Sequence, residues 1–481
     1  MRVSVISGAT RLRPFLPGPC WSVPVVTTSI TAIELGLILV MNFSLMGLAR
    51  AMWPGEWSRG SLTGATLLDV ILYSIVAFEA LRLTGGYRWR RLTSGHGQWR
   101  RTGFAAVLSA LTAVAGLAAL GAPVVALLGL GGMTLVATST VLSAARAAAA
   151  SALRDWLDQG RFAAKIGVVG IGPAAAALVA RLATEHGGLI QLAGHYHVDA
   201  AGENGIRGNL DTLQLDCKLR RLDIVVLADS WMNAGPLVQR LATYAQDFYT
   251  LPDPIHGPGQ GSGARLADEP LVLLWERPLK DWQGVRKITF DRLAAALILV
   301  LVSPLLAVVA VLIRFESSGP VLFRQYRVGY NNRLFSILKF RSMRADAMDR
   351  LATQQTVLGD PRVTRVGAVI RKFSIDELPQ LINVLRGEMS MVGPRPHAPG
   401  TSADGQPVQA LAAHYGRRHL VRPGITGLAQ VRGFRGGMHT TQHVLDRLQA
   451  DLEYIRRQSL RLDLKILIMT VVREIRSKRA F

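Results

Sequence analysis

Long apolar runs divide the 481-residue chain, and four of them fall within its first 150 residues. They cover residues 26–49, 67–81, 104–120 and 124–150. A membrane-spanning helix needs about 20 apolar residues, and each run is close to that length. The second run is short and contains Asp69 and Glu79. The pattern therefore predicts a bundle of four transmembrane helices over residues 1–155, of which the second is the weakest.

Basic residues predict the orientation of this bundle. The segment RLTGGYRWRRLTSGHGQWRR, residues 82–101, is rich in arginine, and Arg154 follows the fourth run, whereas the loop around Trp53 and Trp57 carries few cations. Because cytoplasmic loops are enriched in Lys and Arg, both ends of the bundle should face the cytoplasm. The basic residues 1–19 lack an apolar core directly behind them, so we expect no cleaved signal peptide.

Residues 160–255 show a different pattern. KIGVVGIGPAAAALVARL contains an apolar strand, a turn over 170–175 and an alanine-rich helix, while LIQLAGHYHV and LDIVVLADS are typical of further strands. This alternation predicts a Rossmann-like α/β domain. The turn either holds a nucleotide at the helix N-terminus or is a tight connection without a ligand. A G-x-G-x-x-A match alone is weak, and His195 and His197 precede Asp199 where an acidic ribose partner would be expected.

A linker rich in Gly and Pro, residues 256–285, is predicted to lead to a fifth apolar run, residues 290–313. Arg286 and Lys287 precede this run, and Ser303-Pro304 interrupts it. Because proline removes a helical hydrogen bond and bends the axis, the run is either a kinked fifth span or a re-entrant helix-break-helix. We favour the re-entrant helix, since a fifth crossing would export the arginine-rich residues 320–481 from the cytoplasm.

Composition narrows the ligand classes. The formal net charge is +22 and the mean hydropathy is +0.26. The charge alone fits nucleic acid, anionic lipid or phosphorylated substrates. Together with so many apolar helices it favours lipid and phosphate over nucleic acid. Cys20 and Cys217 are too far apart for a metal or redox motif.

Cations recur in the turns that follow Gly319. The motifs YRVG, VGPRPH and VRPG contain Arg327, Arg395 and Arg422, respectively, and a guanidinium group binds phosphate oxygens in a bidentate manner. The alternation in LFSILKFRSM places Lys339 and Arg341 on one face of a predicted strand. These side chains either bind phosphate groups or lie on a solvated surface.

An acidic pair stands among these cations in SIDELPQL. Ser374 to Glu377 matches the S-x-x-E capping box, which would start the helix ELPQLINVLRG, although Asp376 could equally be the cap because Pro379 is tolerated near a helix start. The same geometry allows a second role, since an ionised carboxylate at a helix N-terminus can be a nucleophile or a Mg²⁺ ligand. The two interpretations are compatible.

Several ordered motifs resemble those of the polyprenyl-phosphate glycosyl-1-phosphate transferases, from about residue 286 to the C-terminus. They are GPVLFRQYRVG, LKFRSM, DPRVTRVGAVIRKFSIDELPQLINVLRGEMSMVGPRPHA and RPGITGLAQVRG. The resemblance implies a mixed α/β monotopic catalytic domain over 286–481, with a re-entrant helix at 290–313 that is broken at Ser303-Pro304. It also implies a multi-pass protein of the bacterial inner membrane whose catalytic domain faces the cytoplasm. With the bundle and the Rossmann-like domain, this is the expected fold.

The resemblance also implies a reaction. Asp376 would attack the sugar-bearing phosphate of a UDP-sugar and release UMP, and undecaprenyl phosphate would then attack the phosphosugar-aspartyl intermediate. Glu377, with Asp376, would hold Mg²⁺. The phosphates would be contacted by Arg371, Lys339, Arg341 and Arg395. The implied partners are the UDP-sugar, undecaprenyl phosphate and membrane lipid, without nucleic acid; homo-oligomerisation is left open.

The sugar is less strongly indicated. The motif GPRPHA favours the branch that transfers glucose-1-phosphate as the first membrane step of exopolysaccharide synthesis. The chain departs from that branch at Leu428 and in RQSLRLDLKIL, where tryptophans are missing, and at 435–438, where RGGM stands in place of RGET. Galactose or another hexose therefore stays open. The helix expected over 460–472 is interfacial or a packing helix.

Two other functions are alternatives. One is an NAD-dependent enzyme that modifies nucleotide sugars, but no tyrosine in the chain is followed four residues later by lysine. The other is a membrane scaffold without enzyme activity, whose basic face binds anionic lipid or nucleic acid.

Overall fold

The computed structural model describes residues 22–53, 64–94, 97–184, 189–197, 208–228, 235–252, 264–266, 269–344, 360–412, 414–434, 436–437 and 440–476. The chain divides into two compact units. One is Trp21–Ala163, and the other contains Ala164–Phe481.

The first unit is helical. Its helices are α1 (Val23–Met52), α2 (Gly64–Leu83), α3 (Trp89–Ser94), α4 (Gln98–Ala119) and α5 (Val124–Asp158). The four apolar runs of the sequence lie in α1, α2, α4 and α5, which confirms that each forms a helix. Among the described helices of this unit, α1, α4 and α5 are long and apolar enough to cross a membrane, whereas α2 is not. The second predicted span is therefore the one that the length and hydropathy of the helices do not support.

Polar groups of this unit are buried inside the bundle, while large apolar side chains face outwards. Arg146 Nη2 pairs with Glu34 Oε2 at 2.8 Å in the interior, and Asn42 Nδ2 donates to Ser74 Oγ at 2.9 Å. In contrast, Ile33 and Leu128 are about 70% exposed. Ionisable groups within membranes face the bundle interior and pair with one another, so this distribution fits helices surrounded by lipid.

The second unit begins with an α/β domain. Its strands are β1 (Ala164–Val169), β2 (Ile190–Tyr196), β3 (Ile224–Leu227), β4 (Asp247–Thr250), β5 (Ala264–Leu266) and β6 (Glu269–Trp275), and its helices are α6 (Pro173–Thr184), α7 (Leu210–Lys218) and α8 (Gly235–Leu241). The strand order is 2-1-3-4-6-5, parallel from β2 to β4 and antiparallel for β6 and β5. The order 2-1-3-4 is that of flavodoxin-like sheets rather than the 3-2-1-4 of a Rossmann sheet.

The predicted strands, turn and helix of this domain are confirmed, but nucleotide binding at the turn stays a prediction. His195 Nε2 lies 2.6 Å from Gly170 O, so this histidine contacts the turn itself. Asp199 is outside the described residues.

The predicted linker, residues 256–285, is wrong over much of its length. It contains β5 and β6, and α9 begins within it at Asp281. The reason is the apolar segment LVLLW after the Gly- and Pro-rich stretch: Leu271 is buried in the core of the sheet, and the Trp275 ring stacks on Phe248 with centroids 4.2 Å apart.

The remainder of the second unit carries the candidate site. Its helices are α9 (Asp281–Glu316), α10 (Arg365–Lys372), α11 (Gln380–Leu385), α12 (Leu428–Val431), α13 (Thr441–Arg457) and α14 (Leu460–Arg476), with 3₁₀ turns at Tyr330–Asn332, Ile375–Glu377 and Tyr415–Leu420. Its strands are β7 (Leu322–Val328), β8 (Leu334–Phe340), β9 (Ser390–Val392), β10 (Ser402–Ala403), β11 (Gln406–Pro407) and β12 (Gly424–Thr426). β7 and β8 form an antiparallel hairpin, as do β10 and β11, while β9 and β12 pair in parallel.

Helix α9 differs from the predicted helix-break-helix. It runs as one helix through Ser303 and Pro304, and Ser303 Oγ donates to Val300 O at 2.8 Å. By length and composition α9 could cross a membrane. Both of its halves, however, pack on the same region: Ala295 shares a core with Ile337 of β8, and the C-terminal half packs in a second core that contains Phe340 of the same strand.

The tip of the β7–β8 hairpin joins this region to the α/β domain. Asn331 and Asn332 adopt left-handed φ angles of 56° and 58°. Asn331 Oδ1 accepts from Ala245 N at 2.8 Å, and its Nδ2 donates to Cys217 O at 2.7 Å. Left-handed conformations favour asparagine among residues other than glycine, which explains two consecutive asparagines at this turn.

Helix α14 is both a packing and a surface helix. Asp463 and Ile466 are buried, whereas an apolar face is exposed to the outside of the unit. That face consists of Leu464, Ile468, Met469, Val471 and Val472. The packing role predicted for residues 460–472 is therefore confirmed, and an interfacial role stays a prediction.

Candidate active site

Two adjacent carboxylates, Asp376 and Glu377, lie among cations. Glu377 Oε1 accepts from Lys339 Nζ at 2.7 Å and from Arg395 Nη2 at 2.6 Å, and its Oε2 accepts from Arg395 Nη1 at 3.0 Å. This bidentate, charge-assisted pair is geometrically specific. Although burial by itself would raise the pKa of Glu377, Arg395 and Lys339 hold that pKa well below its usual value. Glu377 is therefore ionised at neutral pH.

Asp376 faces the same cations at longer range. Its side chain is 13% exposed, and its Oδ2 lies 4.0 Å from Lys339 Nζ. Burial raises the pKa of Asp376, and the negative charge of Glu377 raises it further. The positive charges of Lys339 and Arg371 lower it. Neighbouring carboxyl groups whose environments shift their pKa values apart are typical of sites where the two have different roles. Here Glu377 makes ion pairs at 2.6–2.7 Å, whereas Lys339 Nζ is 4.0 Å from Asp376 Oδ2.

The predicted capping box is wrong. Ser374 has a left-handed φ of 55° and, within the described residues, its side chain makes no capping hydrogen bond. Glu377 pairs with Lys339 and Arg395 instead of bonding back to the backbone. Two nearby cations thus outcompete the capping interaction, and they also account for the ionisation of Glu377.

The proposed influence of the helix N-terminus on Asp376 is also wrong. The dyad lies in a 3₁₀ turn, and α11 begins only at Gln380, after Pro379. Burial has the largest effect on the pKa of Asp376, and it raises that pKa. The predicted helix itself is confirmed, and Gly387 after it has a left-handed φ of 77°.

Arg395 lies on a loop that two short strands hold. β9 leads directly into Gly393-Pro394-Arg395, and Gly393 N donates to Thr426 O of β12 at 2.9 Å. A Cβ atom added at Gly393 would lie 2.4 Å from Arg422 O, so only glycine allows this approach. Arg422 thus packs against Gly393, in the loop of Arg395, through its backbone carbonyl group.

Arg418 holds the same loop through a hydrogen bond to its backbone, and the sequence analysis did not predict this. Arg418 Nη2 donates to Arg395 O at 2.8 Å and pairs with Asp451 Oδ2 of α13 at 2.7 Å. Its Nη1 donates to Tyr415 OH at 2.6 Å. Arg418 and Asp451 are fully buried, so the pair is structural. The sequence signal was only the cluster GRRHL directly before the VRPG motif, which does not distinguish a buried arginine from an exposed one.

Arg327 and Arg371 complete the cation group. Arg327 is on β7 rather than in a loop, and burial together with the charge of Arg395 lowers its pKa to about 10. Arg371, in the last turn of α10, lowers the pKa of Asp376. Both predicted residues are therefore near the dyad, together with Lys339 and Arg395.

Arg341 is not part of this group. Its Nη1 donates to Ser318 O at 2.6 Å, and its Nη2 donates to Ser317 O at 2.7 Å and Ile313 O at 3.2 Å. These are carbonyl groups at the C-terminal end of α9, where cations are favoured. The expected common face with Lys339 is absent because β8 ends at Phe340. Arg341 caps α9 in this structure, and a phosphate contact of its side chain stays a prediction.

The dyad fits a divalent cation only in company with a ligand. Among the described residues, no group of three or more His, Cys, Asp or Glu side chains could hold a metal. Both oxygens of Glu377 accept from Lys339 or Arg395. Mg²⁺ is commonly bound by one or two carboxylates together with substrate phosphates. A diphosphate that attracts Arg395 or Lys339 would release Glu377, so the donor set fits a Mg²⁺ that binds jointly with a diphosphate.

Comparison with known proteins identifies the family. The profile of a family described as bacterial sugar transferase matches residues 282–477. The exopolysaccharide production protein PSS of Rhizobium leguminosarum bv. phaseoli is 45% identical over 197 residues, which are 41% of this chain and 98% of that protein. The chain belongs to the bacterial sugar transferase family, as the motifs around the dyad predicted.

Two further relatives carry more specific names. An undecaprenyl-phosphate glucose phosphotransferase of Komagataeibacter xylinus is 42% identical over 326 residues, 67% of this chain and 61% of that protein. A UDP-N-acetylgalactosamine-undecaprenyl-phosphate N-acetylgalactosaminephosphotransferase of Aeromonas hydrophila is 47% identical over 182 residues, 38% of this chain and 41% of that protein. The chain thus spans about three fifths of the first relative and less of the second, and identity alone does not separate their sugars.

Proposed function

We propose that the chain transfers a hexose-1-phosphate from a UDP-sugar to undecaprenyl phosphate and releases UMP, as the first membrane step of exopolysaccharide synthesis. Glucose is the leading sugar, because the Komagataeibacter xylinus relative, which matches over 326 residues, is named for glucose. Galactose and N-acetylhexosamines are the alternatives. The observation that carries the proposal is a buried Asp376 beside an ion-paired Glu377 within a group of cations. UMP release and label transfer to undecaprenyl phosphate, with a panel of UDP-sugars, test it.

In the first step an Asp376 oxygen attacks the sugar-bearing phosphorus. A bond forms between that oxygen and phosphorus, the bond from phosphorus to the bridging oxygen breaks, and UMP leaves with the electron pair. Lys339, Arg395 and Arg327 stabilise the charge that develops on the phosphate oxygens. In the second step a phosphate oxygen of the lipid attacks the same phosphorus and Asp376 is released as a carboxylate.

Mg²⁺ bound with the diphosphate would supply charge neutralisation of the leaving UMP. Glu377 would hold it, with Asp376 nearby, once Arg395 or Lys339 turns to the phosphates. For the side chains this would be an exchange of partners: Arg395 or Lys339 would bind phosphate oxygens in place of Glu377, and Glu377 would then be available to hold the metal. Metal and nucleotide should then bind cooperatively. A metal at Glu377 would release Arg395 or Lys339 for the phosphates, and a bound nucleotide would release Glu377 for the metal.

Arg395→Gln tests this exchange without turnover. With one of its two cations removed, Glu377 should bind a divalent cation more tightly in the absence of nucleotide, by roughly threefold or more. The affinity for UDP should fall. Electron paramagnetic resonance of Mn²⁺, used as the probe in nanodiscs, measures the first quantity, and calorimetry measures the second.

Arg432→Gln is the matched control, because Arg432 makes a bidentate pair with Glu453 on the exposed surface. It should change neither affinity. Unchanged or weaker Mn²⁺ binding by Arg395→Gln would show that Glu377 does not exchange its cations for a metal.

We propose that α9 is re-entrant and that the catalytic region faces the cytoplasm of the bacterial inner membrane, as do both ends of the bundle. Support comes from the two ends of α9. Lys287 Nζ donates to Val392 O at 3.3 Å, and Arg341 binds carbonyl groups near Ser317, so both ends contact the region around the dyad. Between them, Leu297, Val300 and Leu301 are more than 60% exposed. This fits a helix whose middle enters the lipid while its ends stay on one side.

Cysteine labelling tests this topology. Glu276→Cys and Ser318→Cys, each in a chain without Cys20 and Cys217, place exposed thiols before and after α9. A maleimide that does not cross membranes should label both from the cytoplasmic side only. Labelling from opposite sides would mean that α9 spans the membrane. An engineered cysteine in the loop near Trp57 gives the control for the other side.

A further inference from the structure

Asn383 is a fully buried residue of α11 that lies outside the group of charged side chains. Its Oδ1 accepts from Leu338 N at 3.0 Å, and its Nδ2 donates to Ser336 O at 2.8 Å and to Glu388 Oε2 at 2.6 Å. Leu338 N can only donate, so the orientation of the carboxamide is determined by its partners. One side chain thus satisfies an N–H and a C=O group on the edge of β8.

This pattern is that of a strand partner. In a parallel ladder, one residue bonds to the N–H and the C=O groups of two residues that flank its neighbour on the adjacent strand. The carboxamide of Asn383 makes these two bonds around Ile337, as a peptide group would. The other edge of β8 is paired with β7, where Lys339 is opposite Phe323. Asn383 therefore closes the open edge of the hairpin beside Lys339.

The bonds fix a register that apolar packing alone would not. Ile337 packs in the same core as Leu381 and Val384 of α11. Burial of apolar surface is non-directional and tolerates small shifts of a strand along a helix. Hydrogen bonds with defined donors and acceptors do not tolerate such shifts. Because Asn383 follows Glu377 by six residues through the 3₁₀ turn and α11, it fixes the distance between the dyad and β8.

We propose that Asn383 is a positioning residue for the Asp376–Glu377 site. It holds β8 in the register that brings Lys339 Nζ to 2.7 Å from Glu377 and 4.0 Å from Asp376. Asn383 acts only through Lys339 and does not contact the substrate. Measuring this role by UMP release rests on the proposed function, whereas measuring it by the affinity for UDP does not require that the protein transfers a sugar phosphate.

A double-mutant cycle tests this role in the full chain in nanodiscs. Asn383→Ser, Lys339→Gln and their combination are compared by the affinity for UDP, by kcat and KM for UMP release, and by the midpoint of thermal unfolding. Asn383→Ser should lower the UDP affinity and kcat by roughly tenfold in the wild-type background. In the Lys339→Gln background it should lower them by less than about twofold, because the residue through which it acts is already lost. The unfolding midpoint should fall equally in both backgrounds.

Asn42→Ser is the matched control. Asn42 lies in the helical unit Trp21–Ala163, is also fully buried, and donates to Ser74 of the same unit. It should lower the unfolding midpoint without a change in UDP affinity. Equal losses of UDP affinity for Asn383→Ser in both backgrounds, or no loss in either, would overturn the proposal.

Two further outcomes are informative. If Asn383→Ser does not fold, the same cycle uses Asn383→Asp with Glu388→Gln, which keeps an acceptor for Leu338 N and a hydrogen bond to residue 388 but places an acceptor against Ser336 O. This pair of substitutions should lower the UDP affinity in the wild-type background and by less than about twofold in the Lys339→Gln background, and equal losses in both would overturn the proposal. A wild-type protein that binds UDP without releasing UMP would reject the proposed function and leave the binding cycle decisive.

Discussion

Asp376→Asn is expected to reduce UMP release from a UDP-sugar by at least about 10³-fold, as is common when the nucleophile of a covalent mechanism is removed. The carboxamide has nearly the shape of the carboxylate but lacks an anionic oxygen to attack phosphorus. The substitution should not destabilise the fold, because burial already disfavours the charged form of Asp376 and a neutral amide avoids that cost. The loss should therefore appear in kcat at an unchanged unfolding midpoint.

The same variant tests the covalent step directly. After a short reaction with UDP-glucose labelled at the sugar-bearing phosphate, the denatured wild-type chain should retain label and Asp376→Asn should not. Asp446→Asn is the matched control, since Asp446 accepts from Gln442 on the surface of α13. Undiminished UMP release by Asp376→Asn would remove Asp376 from the mechanism, and release without retained label in the wild type would favour direct transfer to the lipid.

The sequence was sufficient for features in which a local pattern determines the outcome. Apolar runs of the right length became α1, α2, α4, α5 and α9, and the strand-turn-helix pattern after Ala164 became β1 and α6. The motifs predicted that Asp376, Glu377, Lys339 and Arg395 lie together, and each of these residues lies in or close to a short strand or turn. Arg371 and Arg327 were also placed near them.

The remaining features depend on contacts between residues far apart in the chain. Arg341 follows Lys339 by two positions, yet the end of α9 captures its guanidinium group, which no alternation pattern indicates. The S-x-x-E motif predicted a cap, but two cations from distant segments bind Glu377. Proline at position 304 predicted a break, whereas the helix continues through it, with Ser303 and Pro304 exposed. For the cap, the local preference is about 1 kcal/mol, which ion pairs with distant residues readily exceed.

Lys287 is a further example, and it carries the second large prediction. In the sequence it stands out only as one of the cations that precede an apolar run. In the structure its Nζ is buried and pairs with Asp291 Oδ1 at 2.8 Å and with Asp463 Oδ2 at 3.0 Å. Tyr454 OH lies 2.8 Å from Asp463 Oδ1 and 2.9 Å from Val392 O, and its single proton is shared between these two acceptors. This cluster joins α9, α13 and α14 to β9, the strand that leads to Arg395.

Lys287→Met should therefore destabilise the protein by about 3–5 kcal/mol, because two buried carboxylates lose the cation that compensates them. We expect a large fall in the midpoint of thermal unfolding in nanodiscs, and a lower yield of folded protein from membranes. Catalysis should fall as well, since β9 positions the loop of Arg395. Lys465→Met is the control, as it makes the same change on the exposed face of α14.

A rescue variant distinguishes loss of charge balance from loss of the lysine side chain as such. Asp291→Asn and Asp463→Asn added to Lys287→Met leave a neutral cluster, in which the amides can still accept from Met391 N and Tyr454 OH. Since replacing a buried ion pair by neutral groups often costs little, the triple variant should recover much of the unfolding midpoint. A triple variant as unstable as Lys287→Met would mean that the packing of the lysine stem, rather than its charge, joins α9, α13 and α14 to β9.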